Sequence, residues 1–254
     1  MANQIDPFVT RLHAYIREDR QHYPGEGNNR FTFALAQAAR YETFVLMILN
    51  RYREVADEWS RRTRVRLERA RRHPGKHELT AEEIAESDEY HRLTQYLHLE
   101  IESFYIFAKM LLDKLALAIE HYFGKVHNAR LAFISHDSLV KDFPAYKEAK
   151  ALEVPDDFEK GLTDLSQRIV FFRDKQLSHA YSSRTMHGTG FGGDGKPYLT
   201  LTRIYPDDRD IAAATQSESP DDLIVSIEKH INLVIDLLVR NRAKSQYAQD
   251  PDRR

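Results

Sequence analysis

Cysteine is absent from the 254-residue chain, which excludes a disulfide framework, a thiolate metal site and a cysteine nucleophile in one step. Long apolar runs are absent too. No stretch reaches the roughly 18 uninterrupted apolar residues of a membrane span. The opening M-A-N-Q-I-D-P-F lacks a basic segment followed by an apolar one, so we expect a cytoplasmic protein with no membrane partner. Net charge is also small, with 37 Lys plus Arg against 39 Asp plus Glu, a balance of −2. Overall charge therefore announces neither nucleic acid nor membrane, and local clusters must carry any such argument. The G-x-S-x-G elbow of serine hydrolases and the H-E-x-x-H pair of zinc proteases do not occur.

What is present is an ordinary apolar fraction, 42%, arranged mostly at helical spacing. We expect an all-α protein, an antiparallel helical bundle in one domain over residues 1–240. Phe8, Leu12, Tyr15 and Ile16 predict a helix from Pro7 to His22, capped by Asp6. From Phe31 through Leu35, Ala38, Val45, Leu49 and Tyr52 to Trp59, one apolar face persists for many turns. Past Trp59 that face is lost in R-R-T-R-V-R-L-E-R-A-R-R, so residues 57–90 should include a helical extension projecting into solvent. Thr80 and Glu83 form a capping box for a third helix through Tyr90. From Leu93 to Phe123 the three-and-four repeat returns, and Gly124 is a natural stop.

A shorter helix over Asp137 to Leu152 should be interrupted at Pro144. Pro155 to Asp157 then begin the next one. The glycine-rich M-H-G-T-G-F-G-G-D-G-K-P, followed by Tyr198 to Tyr205, predicts a small inserted β-hairpin over residues 185–206. Gly188, Gly190 and Gly193 also match G-x-G-x-x-G, and Gly190, Gly195 and Lys196 match G-x-x-x-x-G-K. Both matches lack the strand-to-helix context of a phosphate loop. Ser219 to Asp222 start a last helix whose near all-round apolarity suggests burial, in part against a second subunit. Residues 241–254 read as a flexible tail.

The chemistry concentrates in Arg168 to Tyr181, R-I-V-F-F-R-D-K-Q-L-S-H-A-Y, where the apolar run Ile169 to Phe172 adjoins a dense polar cluster. Histidine titrates near neutrality and can give or take a proton. Arginine stays charged and presents a fork that matches phosphate oxygens. Metal-independent RNA cleavage needs a base for the ribose 2′-hydroxyl, a cation at phosphorus and an acid for the leaving oxygen, and we assign His179 as a proton-transfer residue and Arg173 as the phosphate clamp. On an ideal α-helix the two side chains would point about 120° apart. Either the helix ends between them, or two chains share the site.

Arg173 and His179, with five residues between them, resemble the R-x(4–6)-H motif of HEPN domains, and R-D-K-x-x-x-H looks like their abortive-infection branch. The long helical run Glu100 to Gly124 before the motif and the apolar helix Leu223 to Val239 after it are similar to that family's order of elements. The resemblance spans roughly residues 90 to 240, at the level of pattern. It implies a helical bundle of prokaryotic defence and toxin systems, acting as a homodimer that brings two motifs to a shared cleft. It further implies RNA cleavage without a cofactor to 2′,3′-cyclic phosphate and 5′-hydroxyl ends, and a cognate antitoxin or nucleotidyltransferase as partner. Asp174, Lys175, Ser178 and Tyr181 would support the pair, with Asp174 orienting His179 or Arg173. The bland alternative is that Arg173, Asp174 and Lys175 are surface charges near a helix C-terminus, with His179 capping its carbonyls. The rival function is a non-catalytic module of the same fold that binds RNA, a nucleotide or an antitoxin.

Two further features carry competing readings. Arg61, Arg62, Arg64, Arg66 and Arg69 are dense enough to neutralise several RNA phosphates, or they are the solvated face of an extended helix paired with nearby acids. His98 and Glu102 lie one turn apart with His91 two turns from His98, but no third metal ligand is evident. No metal is expected.

Overall fold

The computed structural model describes residues 6–22, 29–72, 80–126, 132–173, 177, 185–203 and 215–247. Its spine is a helical hairpin. Helices α2 (Arg30–Arg72) and α3 (Ala81–Phe123) contain 43 residues each, about 65 Å at 1.5 Å per residue. They run antiparallel: Phe31 meets Tyr122 at one end, with ring centroids 4.7 Å apart, and Arg69 reaches Glu86 at the other. The Thr80 capping box forms as expected, with the Thr80 side chain accepting from Glu83 N–H and the Glu83 side chain accepting in return. Gly124, at φ 76°, ends α3 and donates its N–H to the Glu120 carbonyl. The helix expected to open at Thr80 and the core helix expected from Leu93 are one element. No backbone breaker separates Tyr90 from Leu93; only the surroundings of the side chains change.

Helix α1 (Arg11–His22) begins later than its apolar spacing suggested. Asp6 accepts the N–H of Phe8 in a preceding turn, and the Thr10 hydroxyl accepts the N–H of His13. Helix α4 (His136–Ala149) passes through Pro144 without interruption. Pro144 is exposed, so water can serve the carbonyl whose N–H partner the ring removes. Helix α5 (Phe158–Leu165) leads into a π-helical segment, Ser166–Val170. Helix α6 (Pro220–Arg240) starts as expected, with Ser219 as N-cap and Pro220 in the first turn.

Among the described residues these six α-helices are joined by a three-stranded antiparallel sheet, β1 (Thr185–Phe191), β2 (Pro197–Arg203) and β3 (Thr215–Gln216), in the order β1-β2-β3. The expected hairpin is therefore present and has gained a short third strand; residues 204–206 lie outside the described residues. The loop runs from strand to strand, with Phe191 opposite Pro197, so neither glycine motif has the helix that a phosphate loop requires. Gly195 turns the chain at φ 77°, and a Cβ on Gly190 would lie 2.7 Å from the Tyr198 ring. The glycines serve the turn and the close approach of that ring.

The core is continuous. Leu35, Leu49, Tyr52, Leu112 and Leu115 from the hairpin, Phe143 from α4, Leu162 from α5 and Ile231 from α6 belong to one buried cluster. Leu199 and Leu201 seat the sheet on it. On α6 Leu223, Ile224, Ile227, Val234, Ile235, Leu237 and Leu238 are all buried within the single chain. The apolarity that suggested a second subunit is thus largely used inside one molecule. Nor is the chain loose directly after Arg240: Asn241 exchanges side-chain hydrogen bonds with the Glu153 backbone, both 2.8 Å, and Gln246 N–H donates to the Tyr122 carbonyl. The flexible tail expected from residue 241 is docked as far as Tyr247, which lies against Phe31.

Candidate active site

The polar motif begins where α5 widens. In the π-helical turn Ile169, Val170 and Phe172 are buried, while Phe171 is turned outward at 53% exposure. The apolar run Ile169 to Phe172 is thus not buried as a block, because Phe171 leaves it. π-Helical turns are uncommon and recur at functional sites. This one is clamped by Arg168, which donates to Glu218 at 2.7 Å, and to Asp164 and the Ser226 hydroxyl, both at 2.8 Å. The hydrogen bond to Glu218, above all, raises the pKa of Arg168 beyond the usual arginine value. Arg168 is thus a structural tie between α5 and the start of α6, a role its sequence position did not announce.

Arg173 is half-buried, three residues beyond Val170. Asp174, Lys175, Ser178, His179 and Tyr181 lie outside the described residues, so the geometry of the Arg173–His179 pair is not drawn.

Phe172, the residue before Arg173, stacks on Tyr105 of α3 with ring centroids 4.5 Å apart. Tyr105 is fixed in turn: its hydroxyl accepts the Glu218 N–H at 2.8 Å and donates to the Glu218 carbonyl at 3.2 Å. Burial raises its pKa well above that of a free phenol. One turn earlier on α3 stands Glu102, whose carboxylate lies 3.3 Å from Nδ1 of His187 on β1. One turn earlier again, His98 Nε2 is hydrogen-bonded to the Thr189 hydroxyl, also on β1. Burial foremost, and the neighbouring His187 next, lower the pKa of His98. Phe172 and strand β1 are therefore set against successive turns of α3.

Sequence reasoning weighed His98 and Glu102 as metal ligands and passed over His187. Their partners instead are Thr189 and His187, and His91 is exposed elsewhere on the helix. Among the described residues no group of three or more His, Asp or Glu is placed to hold a metal ion. His187 was visible only as an isolated histidine in a glycine-rich strand; strand register, not sequence distance, brings it to α3.

The arginine-rich end of α2 is paired in part. Arg61 and Arg62 both donate to Glu58 at 2.6 Å, Arg69 pairs with Glu86 at 2.6 Å, and Arg66 lies 4.3 Å above the Tyr90 ring. The hydrogen bonds from Arg61 and Arg62 lower the Glu58 pKa to about 2. Arg64, Arg71 and Arg72 have no acidic partner among the described residues. Of the five arginines expected on RNA, Arg61, Arg62 and Arg69 have acidic partners, Arg66 has an aromatic one, and Arg64 has no acidic partner among the described residues.

Among the described residues no helix is long and apolar enough to cross a membrane. Comparison with protein-family models, with curated proteins and with solved structures finds no match for this chain.

Proposed function

We propose that this protein is a metal-independent endoribonuclease of the HEPN-like type, a toxin or phage-defence effector acting as a homodimer through Arg173 and His179. The observation that carries the reading is the R-x(5)-H spacing of a motif whose arginine follows a π-helical segment, one residue after the Phe172 ring that packs on Tyr105 of α3. Arg173 would neutralise the charge that builds on phosphorus, and His179 would transfer a proton. Asp174, Lys175, Ser178 and Tyr181 fill the surrounding positions of the motif. RNA is the substrate, and an antitoxin or nucleotidyltransferase would restrain or modify it.

Incubating cellular RNA with the protein in excess EDTA tests this reading. Wild type should leave 2′,3′-cyclic phosphate and 5′-hydroxyl ends, while Arg173→Ala and His179→Ala should each lose about 100-fold or more of the rate. Equal cleavage by all three proteins would remove the motif from the chemistry.

A second reading, a non-catalytic module that binds RNA or a protein partner, is favoured by one specific observation. The hairpin's side chains Phe33, Met47, Tyr96, Leu99 and Met110 are 38–66% exposed, apolar area that a binding partner would cover. On this reading wild type binds its partner and leaves RNA intact.

A further inference from the structure

At the end of the hairpin where Phe31 meets Tyr122, α2 and α3 together line an open groove of about 690 Å³. Two side-chain stripes face it. Arg30, Phe33 and Gln37 come from α2, and Lys114, Leu117 and His121 from α3; steps of three and four keep each set on one helical face. Because the helices are antiparallel, Arg30 stands with His121 at one end, Phe33 with Leu117 in the middle, and Gln37 with Lys114 at the other. The pKa of His121 is in keeping with that order: burial foremost lowers it, the charges of Arg30 and Lys125 add to the shift, and Glu120 opposes it. Seven residues separate the two ends, about 10 Å along the helix.

The charge in this groove has one sign. Among the described residues no acid lines it, and neither Arg30 nor Lys114 has an acidic partner. The neighbouring acids of α3 are engaged elsewhere. Asp113 holds Lys109 at 2.7 and 2.8 Å and accepts the His136 N–H at 2.8 Å, and Glu120, 4% exposed, accepts the Phe133 N–H. The arginine-rich end of α2 differs, because Arg61, Arg62 and Arg69 already hold acids there. Between the two cationic ends Phe33 is 66% exposed. Cations spaced along a groove with an aromatic ring between them match a chain that alternates charge with flat rings, as a single nucleic-acid strand does. A compact anion would engage one end and leave Phe33 unused.

We infer that this groove binds a single-stranded nucleic acid, with one backbone phosphate at Arg30 and His121, another at Lys114 and Gln37, and a base stacked on Phe33 between them. Arg30 offers a planar fork to phosphate oxygens and Lys114 a point charge. His121, held neutral by its surroundings, contributes a hydrogen bond rather than charge. Lys114 and His121 lie about 14 Å and 24 Å along α3 from Tyr105, on which the Phe172 ring packs. The groove is therefore a contact separate from that packing. The inference concerns binding alone and holds with or without cleavage at the motif.

The test is fluorescence anisotropy of a labelled thymidine oligodeoxynucleotide of about 12 nucleotides, which lacks the 2′-hydroxyl and so stays uncut. Arg30, Phe33 and Lys114 are all at least partly exposed, and circular dichroism checks that the variants fold equally. Wild type should bind at low salt. The double variant Arg30→Ala, Lys114→Ala should bind about tenfold or more weakly, with a log–log salt slope shallower by about 1.4, the share of two single-strand phosphates. Phe33→Ala should lose about fivefold or more at an unchanged slope. A 2′-fluoro-uridine strand of equal length is also uncleavable, and whichever strand binds more tightly assigns the groove to RNA or to DNA. Wild type that binds neither strand, or a double variant that binds as wild type does, overturns the inference. Unchanged binding by Phe33→Ala overturns it too, since charge alone would then account for the affinity. Wild type that cuts RNA in EDTA yet binds neither strand leaves the ribonuclease reading standing without the groove; binding without cleavage keeps the groove and removes that reading.

Discussion

The inner and outer halves of the α2/α3 hairpin share one backbone geometry and are held by different forces. Inside, Leu35, Val45, Leu49 and Tyr52 of α2 and Leu97, Leu111, Leu112 and Leu115 of α3 are at most 1% exposed. Outside, α2 carries seven arginines against three acids over residues 57–72, and α3 carries five acids against one arginine over residues 81–92. The two outer segments nearly cancel. Trp59 marks the boundary, buried against Phe191 at 4.5 Å and donating its indole N–H to Thr94 at 2.9 Å. Helical continuity therefore says little about stability: apolar burial fixes the inner half, whereas screened charge pairs align the outer half.

The comparison breaks most visibly at Leu112, which is 0% exposed. Leu112→Ala removes three carbons from the inner contact and leaves a cavity, and should destabilise the fold by about 2–5 kcal/mol in equilibrium denaturation. A loss no larger than that of an exposed truncation such as Leu67→Ala would mean that the inner half is not the stabilising half.

Next in size is the inner half's own exception. Glu42 on α2 is 5% exposed and accepts a hydrogen bond from the Thr10 hydroxyl at 2.7 Å. Burial foremost raises its pKa to about 7 from the ordinary 4.5; the Thr10 bond opposes the shift, and the charge of Glu228 adds to it. The folded state thus holds a proton that the unfolded state has released between those two values. This contribution to stability is full below pH 4.5 and is lost as pH rises through 7. Glu42→Gln should therefore gain about 2–3 kcal/mol over wild type at pH 8, and little at pH 4. His230, whose pKa burial lowers to about 3, acts oppositely: its contribution is lost as pH falls. Only the difference between wild type and Glu42→Gln isolates the carboxylate, and a difference independent of pH would refute the assignment.

Most of the helical framework was legible in the sequence because apolar spacing, the Thr80 box, Gly124 and Ser219 are local signals. What was missed depends on tertiary partners. Pro144 interrupts nothing because it lies on the solvent side, and α3 is unbroken because surroundings, not propensity, change near Tyr90. The Arg168 tie to Glu218 and the docking of Asn241 on Glu153 pair residues remote in sequence. The candidate site was half legible. Arg173 stood out by motif, whereas the Glu102–His187 pair spans 85 positions and becomes adjacent only once β1 lies along α3.

The smallest effect belongs to the outer half. Arg69 pairs with Glu86 at 2.6 Å and lies 3.8 Å from Glu83, all three at least partly solvated. Solvent already screens these charges, and the exchange of one pair for hydration leaves global unfolding almost unchanged. Local order is more sensitive, because few apolar contacts resist fraying past Trp59. Arg69→Ala should therefore leave the denaturation midpoint at its wild-type value while amide exchange accelerates in residues 61–72 and 81–92. Raising salt to about 1 M, where the screening length falls to about 3 Å, should produce the same local acceleration in wild type and add little in the variant. Exchange that ignores both salt and Arg69 would show that the outer helices are aligned by Tyr90, stacked on Trp59 and capped by Arg66, rather than by their ion pairs.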